Sequence, residues 1–324
     1  MNSSDLPSVP KVVVTKVRQR PGDRVFSGLS RLSGSLILAL LAGVFGFLFL
    51  EGLPALTADP ADISLLERSS ENPNFWAYVF PLVYGTLWAA FLALLFAFPV
   101  AIGIALFISH YAPRRIAEFL GYVIDLLAAV PSVVYGLWGG TVLAPAIQPL
   151  YVSLHENLSF IPFFEGPPSG TGRTILTAAI VLAVMVLPII TAISREVFLQ
   201  TPVLYEEAAL ALGATRWEMI RTVVLPVARG GIISSAMLGL GRAFGETMAV
   251  AMVLSATGVI SVNLISSVNP STIAANIALS FPEASGLNVN VLIASGLILF
   301  AITLVVNSIA RWIVDRSKEF SGAN

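Results

Sequence analysis

The sequence predicts an all-α integral membrane protein with six transmembrane helices and both termini on the cytoplasmic side. Three observations carry this. Of 324 residues, 56% are hydrophobic and 11% charged, whereas a soluble domain carries about 25% charged residues. The apolar residues fall in stretches near the ~20 residues that a bilayer requires. The basic residues gather in alternate connecting segments, the asymmetry that orients a multi-span chain. Net charge is −1, so overall charge implies nothing about nucleic acid; no nucleic-acid partner is expected, and the surroundings are membrane lipid. The absence of cysteine excludes disulfides, thiolate catalysis and thiolate-held metals. His110 and His155 are far apart in sequence, so no histidine metal site is expected, and both are read as interfacial loop residues.

Residues 1–32 are polar and basic, with Lys11, Lys16, Arg18, Arg20, Arg24 and Arg31 against Asp5 and Asp23. No short apolar stretch there ends at a small-residue cleavage site, so a cytoplasmic tail is expected and not a cleavable signal peptide. The first span covers Ser33–Leu50. Residues 51–71 follow with five acidic residues, one basic residue and flanking prolines, hence outside. The second span, Leu82–Ser109, contains Pro99 as an expected kink and ends in a basic turn, His110–Arg115. The third, Phe119–Ala146, carries Asp125 and the run AVPSVVYGLWGG. Irregular backbone at membrane depth is tolerated only against protein or a water-filled cavity, so this run should face a pathway or a partner helix.

Gln148–Arg173 is a second outside loop, whose Phe160, Phe163 and Phe164 suit either an apolar interfacial surface or packing of the loop itself. The fourth span, Thr174–Ile193, is interrupted at Pro188. Ser194–Gly230 carries Arg195, Arg216, Arg221 and Arg229 and lies inside. The fifth span covers Gly231–Ser255. Residues 257–290 hold one charge, Glu283, and form an outside loop with a short helix. The sixth span, Val291–Ala310, ends at Arg311, Arg316 and Lys318 inside.

One polar stretch interrupts this plan, Tyr205–Pro226. Glu207, Ala208 and Ala209 open a run of helix formers that Gly213 stops as a positive-φ cap. A second run, Thr215–Val224, closes on Leu225-Pro226, where the proline should break the chain before the next span. The spacing E-A-A-x3-G-x9-I-x-L-P resembles the cytoplasmic coupling loop of ABC importer permeases. Glu207, Ala208, Ala209, Gly213, Leu225 and Pro226 match it, and Val223 stands where isoleucine is usual. The resemblance implies that the first loop helix docks in a groove on an ATPase subunit. None of the three lysines follows a glycine, so there is no G-x4-G-K-[ST] phosphate loop. ATP and Mg are therefore expected on partner ATPase subunits, with no cofactor bound by this chain.

Three charges fall inside expected spans: Asp125, Arg242 and Glu246. An intramembrane charge costs at least ~2.5–3.5 kcal/mol, so it marks function by default. Arg242 lies roughly 18 Å past Gly230 in a ~30 Å core. At i and i+4, Arg242 and Glu246 should share one face of the fifth span. Gly241 and Gly245 lie on an adjacent face, open to a neighbouring helix. An arginine suits an oxyanion because its planar fork donates two parallel hydrogen bonds and stays charged. Glu246 would repel a phosphate dianion unless it is protonated or pairs with Arg242 when the site is empty. A pair that merely neutralises itself for insertion is the competing reading. Asp125 fits a pathway residue, a helix start or a subunit contact equally.

The block GLGRAFGETMAV, Gly239–Val250, is similar to the signature of phosphate-specific (Pst) importer permeases. Leu126–Gly139 and the REVFxQTP run, Arg195–Pro202, are similar to that family too, and the motif order is most similar to its PstC-type subunit. The resemblance implies a type I ABC importer permease fold in a bacterial inner membrane, pairing with a PstA-type permease. It further implies a PstB-type ATPase dimer and an extracytoplasmic phosphate-binding protein that delivers inorganic phosphate; the intramembrane charges Arg242, Glu246 and Asp125 are the candidates for the substrate pathway. The domain plan is then a tail at 1–32, a permease body at 33–314 with its coupling loop at 194–230, and a tail at 315–324. Permeases for sulfate or molybdate remain open on the same residues, as does an ion-coupled secondary carrier. A membrane enzyme using Asp125 and Glu246 as an acid/base pair lacks a convergent nucleophile and metal ligands.

Single cysteines at Ser30, Asp62 and Ser317 test the orientation. With an impermeant thiol reagent on intact cells, labelling at Asp62 alone is expected; labelling at Ser30 or Ser317 without Asp62 inverts the scheme.

Overall fold

The computed structural model describes residues 21–67 and 74–319, and every regular element among them is helical. Five helices are long and apolar enough to cross a bilayer: Val25–Thr57, Phe75–Tyr111, Ile175–Leu199, Arg216–Phe244 and Leu287–Arg316. A sixth crossing is available if Arg114–Ala128 and Ser132–Leu158, bent by 88° at the break between them, count as one broken span. The chain divides after Phe47 into two units. The first, within α1 (Pro21–Thr57), is a single helix apolar all round, with Leu36, Ile37, Leu38, Leu40 and Leu41 exposed, the pattern of a membrane span.

The second unit is built on α3 (Phe75–Leu106), α7 (Ile175–Leu199) and α10 (Leu225–Phe244). Side chains accept a backbone N–H at the starts of the first two: Asn74 takes that of Ala77 and Thr174 that of Thr177. Their packing follows from small residues at four-residue spacing. On α3 the buried seam is Gly85, Ala89, Ala93, Ala97, Ala101 and Ala105. On α10 it is Gly231, Ser235, Gly239 and Ala243, laid along α7. A methyl at Gly231 would collide with Val197, the Ser235 and Ser194 hydroxyls bond at 2.9 Å, and a methyl at Gly239 would stand 2.7 Å from Ile190 Cδ1. Small residues let backbones approach where no hydrophobic gain drives helices together. Within this chain the packing seam runs through these residues, whereas Gly241 and Gly245 meet no other helix of the chain: nothing stands within 4 Å of a methyl built at Gly241, and that at Gly245 meets only the Gly241 carbonyl oxygen.

The expected third span is broken. α4 (Arg114–Ala128) ends at Ala129–Pro131, and α5 (Ser132–Trp138) sets off in a new direction. Pro131 supplies no N–H, and the Tyr135 hydroxyl donates to the Leu127 carbonyl at 3.0 Å across the corner. A π-helical turn, Gly139–Leu143, then leads into α6 (Ala144–Leu158), so half of the expected second outside loop is helix. The irregular run does face a helix, and one of the same chain. Methyls at Gly136 and Gly140 would stand 2.7 Å from Ala249 Cα and 2.9 Å from the Met252 carbonyl, both on α11 (Met248–Val253).

Other expected breaks are absent. α7 runs through Pro188, and Arg216–Phe244 is continuous through Pro226. A π-helical turn at Ile220–Val224 precedes Pro226, the Leu225 N–H donating to the Ile220 carbonyl five residues back. The wider turn gives room for a ring that would otherwise strike the preceding turn. The same device precedes Pro145, while after Phe107–Tyr111 the chain turns extended at Ala112-Pro113 and the helix ends.

Loops 159–174 and 254–272 are stitched together beyond α6 and α11. Asn269, wholly buried, accepts the Ile175 N–H and donates to the Ser255 and Ser266 carbonyls. Phe163 stacks on Trp88 and Phe164 packs on the core, whereas Phe160 is exposed. α12 (Ile273–Ser280) and α13 (Leu287–Glu319) complete the unit, the latter running well past the expected Val291–Ala310.

Gly239→Val should overpack the α7 seam and destabilise the protein by about 1–3 kcal/mol. Gly241→Ala should be neutral or stabilising, by up to about 1 kcal/mol, because the space is open and alanine is the better helix former. Thermal unfolding of both variants in detergent checks this; equal midpoints would disprove the seam.

Candidate functional site

The expected pairing of Arg242 and Glu246 along one helix does not hold. α10 ends at Phe244, and Gly245–Thr247 lie outside regular helix before α11 begins at Met248. The Thr247 hydroxyl donates to the Gly245 carbonyl at 3.1 Å, satisfying an orphan acceptor of the helix end. Glu246 thus lies in the break. It is 7% exposed, and its Oε1 accepts the Ala249 N–H at 3.0 Å, capping α11. Arg242 stays on the last turn of α10, where a cation suits the negative end of the helix dipole. Among the described residues Arg242 is in no ion pair.

The two residues nevertheless wall one open cavity of about 1020 Å³. α10 contributes Ser234, Leu238, Gly241 and Arg242, Ile189 comes from α7, and α13 contributes Asn307, Arg311 and Asp315. Arg242 is exposed into it. An exposed arginine on an apolar span, beside a buried carboxylate already engaged by backbone, can present both arms of its fork to an anion. Asp125 does not join them. It sits on the exposed face of α4 and is not part of the cavity wall. Arg311, read from sequence as the inside end of the sixth span, and Asp315, within the expected tail at 315–324, are the charges that reading missed; the spacing Asn307, Arg311, Asp315 on one helix face was the available signal.

The coupling stretch forms two short helices around a turn, as expected. α8 (Val203–Ala211) closes in a Schellman motif, the Ala214 N–H on the Ala209 carbonyl at 3.2 Å and the Gly213 N–H on Leu210 at 3.0 Å. Gly213 has φ +88°. Thr215 and Glu218 then exchange side-chain and backbone hydrogen bonds as a capping box for α9 (Arg216–Met219). Ala209, Met219, Ile220, Val224 and Leu225 pack on Ala105 and Phe198 at the ends of α3 and α7. Glu207 and Ala208 are exposed on α8, as is Pro226 on α10. His110 belongs to a π-helical turn, not a loop, with Nε2 3.5 Å from Glu206 on α8. Leu204, Tyr205, Leu212 and Trp217 leave a broad apolar surface uncovered, Leu212 being 90% exposed.

Residues 97–319 match the family described as binding-protein-dependent transport system inner membrane component. The chain belongs to this permease family. It is 43% identical to the phosphate transport system permease protein PstC 2 of Mycobacterium tuberculosis, over 93% of this chain and 95% of that protein. It is 41% identical to PstC of Mesorhizobium japonicum, over 93% and 92%, and 39% identical to PstC of Pasteurella multocida, over 92% and 93%. Among solved structures it is similar to a bacterial ABC transporter involved in import of the acidic polysaccharide alginate, at 19% identity, TM-score 0.58, covering 90% of this chain and 99% of that one. The MetNI methionine ABC transporter in an inward-facing conformation follows at 16% identity, TM-score 0.53, covering 78% and 96%. At such identities these two speak for the fold alone. The permease is accordingly a multi-pass protein of the bacterial inner membrane, a transport subunit and not an enzyme.

Gly213→Val forces a β-branched residue into left-handed geometry at a cost of roughly 1–2 kcal/mol, although the space around it is open. Amide exchange at Gly213 and Ala214 should then accelerate about 5- to 30-fold. Unchanged protection there would show that the cap does not hold α8.

Proposed function

We propose that this permease carries inorganic phosphate inward as the PstC-type half of an ATP-driven importer. The observation that carries the reading is Arg242, set in an apolar span and exposed to a large cavity, with no carboxylate occupying its fork among the described residues. The names of its relatives favour phosphate over other oxyanions. A PstA-type permease would cover the open side of the cavity, and an extracytoplasmic phosphate-binding protein would deliver the anion to the outside loops.

A PstB-type ATPase dimer, holding ATP and Mg, would receive the apolar surface of α8 around Leu204, Tyr205 and Leu212. Movement of that helix has two routes inward. One is its seat on the ends of α3 and α7. The other is the continuous rod Arg216–Phe244, which begins at the coupling knob and carries Arg242 in its last turn. The rod is roughly 40 Å long, so a small tilt at its base displaces Arg242 relative to the α13 wall.

The test is uptake of labelled phosphate by the complex purified with its native partners. Excess sulfate or molybdate should not compete, and uptake should stop without the ATPase while ion gradients persist. Arg242→Lys keeps the charge and loses the fork, so uptake should fall by about tenfold or more. Glu246→Gln retains an acceptor for the Ala249 N–H and should assemble normally. Full uptake by the double variant Arg242→Gln with Glu246→Gln would reduce both residues to an insertion device and overturn the site.

A further inference from the structure

We propose that Arg311 is a second oxyanion seat in the same cavity, on the cytoplasmic side of Arg242, which takes the anion as it leaves. The proposal rests on the phosphate reading above. α10 and α13 lie side by side in opposite senses, since a methyl at Gly230, near the start of α10, would stand 3.7 Å from Val314 near the end of α13. Arg311 therefore lines the cavity beside Ser234, whereas Arg242 lies two turns further along α10. At 1.5 Å per residue the two levels are roughly 12 Å apart.

The wall between these levels is largely apolar, with Met237, Leu238 and Ala310. An anion released from a single arginine would have to cross it without a partner, and shedding hydration unpaired is costly. α13 breaks that wall on one face. Asn307, one turn before Arg311, offers an amide donor. Multi-site paths conduct when each seat is strong enough to enter and weak enough to leave.

The bland alternative is that Arg311 only anchors the helix end at the membrane interface. Other residues fill that role on α13. Trp312 is exposed, with the Arg316 guanidinium 5.4 Å over its ring, the pairing of an aromatic and a cation found at interfaces. Arg311 instead lines the cavity.

Phosphate uptake against concentration should be measured with the purified native complex in vesicles of phosphatidylcholine, with and without phosphatidylglycerol. Arg311→Gln should lower the maximal rate by about fivefold or more, and Arg311→Lys by less, with KM within about twofold of the native value because Arg242 still governs entry. Arg316→Gln should leave both parameters unchanged. A maximal rate within twofold for Arg311→Gln, with partners still co-purifying, overturns the second seat alone. A defect confined to vesicles containing phosphatidylglycerol assigns Arg311 to a lipid headgroup and overturns it as well. Absence of phosphate uptake by the native complex would instead overturn the phosphate reading, and this proposal with it.

Discussion

Within a bilayer no hydrophobic gain draws one helix onto another, so contact depends on how closely backbones can approach. Here that approach is set by side chains of minimal size at four-residue intervals. The α3 seam places five alanines and a glycine in register against the core, and the α10 seam places Gly231, Ser235, Gly239 and Ala243 along α7. The serine pair Ser194–Ser235 adds a buried hydrogen bond in the middle of the second seam. Because these faces are committed to packing, the rest of α10 is free to carry polar function. Leu238, Gly241 and Arg242 look away from the seam and into the cavity. Site and scaffold are two faces of one helix.

The continuity of Arg216–Phe244 depends on a local solution to a steric problem. Proline removes an N–H and presses on the preceding turn. The π-helical turn before Pro226 resolves this by bonding Leu225 to Ile220, one residue further back than an α-helix would. The recurrence of the arrangement before Pro145 shows that it is a property of the sequence context and not of one site. Its consequence is mechanical. α9 and Arg242 belong to one rod, which a break at Pro226 would have divided.

The sequence made much of this legible. Long apolar stretches located the spans, and Gly213 with Thr215 and Glu218 marked the cap and restart of the coupling helices, since those motifs depend on neighbours within six residues. What it left obscure depends on contacts distant in the chain. Gly136 and Gly140 read as irregular backbone, yet their purpose is the close approach of Ala249 and Met252 more than a hundred residues away. Gly241 and Gly245 matched a packing motif, yet the contact with α7 inside this chain is made by Gly231 and Gly239; spacing alone cannot say which face meets α7. Arg311 read as the end of a span because the apolar run stops there, yet α13 continues past it, and only the packing of α13 on α10 puts it in the wall of the cavity that Arg242 shares.

The helix break at Gly245 is what gives the site its electrostatic character. On a continuous helix Arg242 and Glu246 would sit one turn apart and satisfy each other, and an incoming anion would have to displace a carboxylate from the fork. The break removes Glu246 from that face and gives its carboxylate to the Ala249 N–H, where it stabilises the start of α11. α11 is the helix on which Gly136 and Gly140 pack, so the same carboxylate that leaves Arg242 uncommitted also caps the helix that receives the broken third span. Under the proposed reading, a residue type that seemed opposed to anion binding would serve it by position: buried and hydrogen-bonded to the backbone.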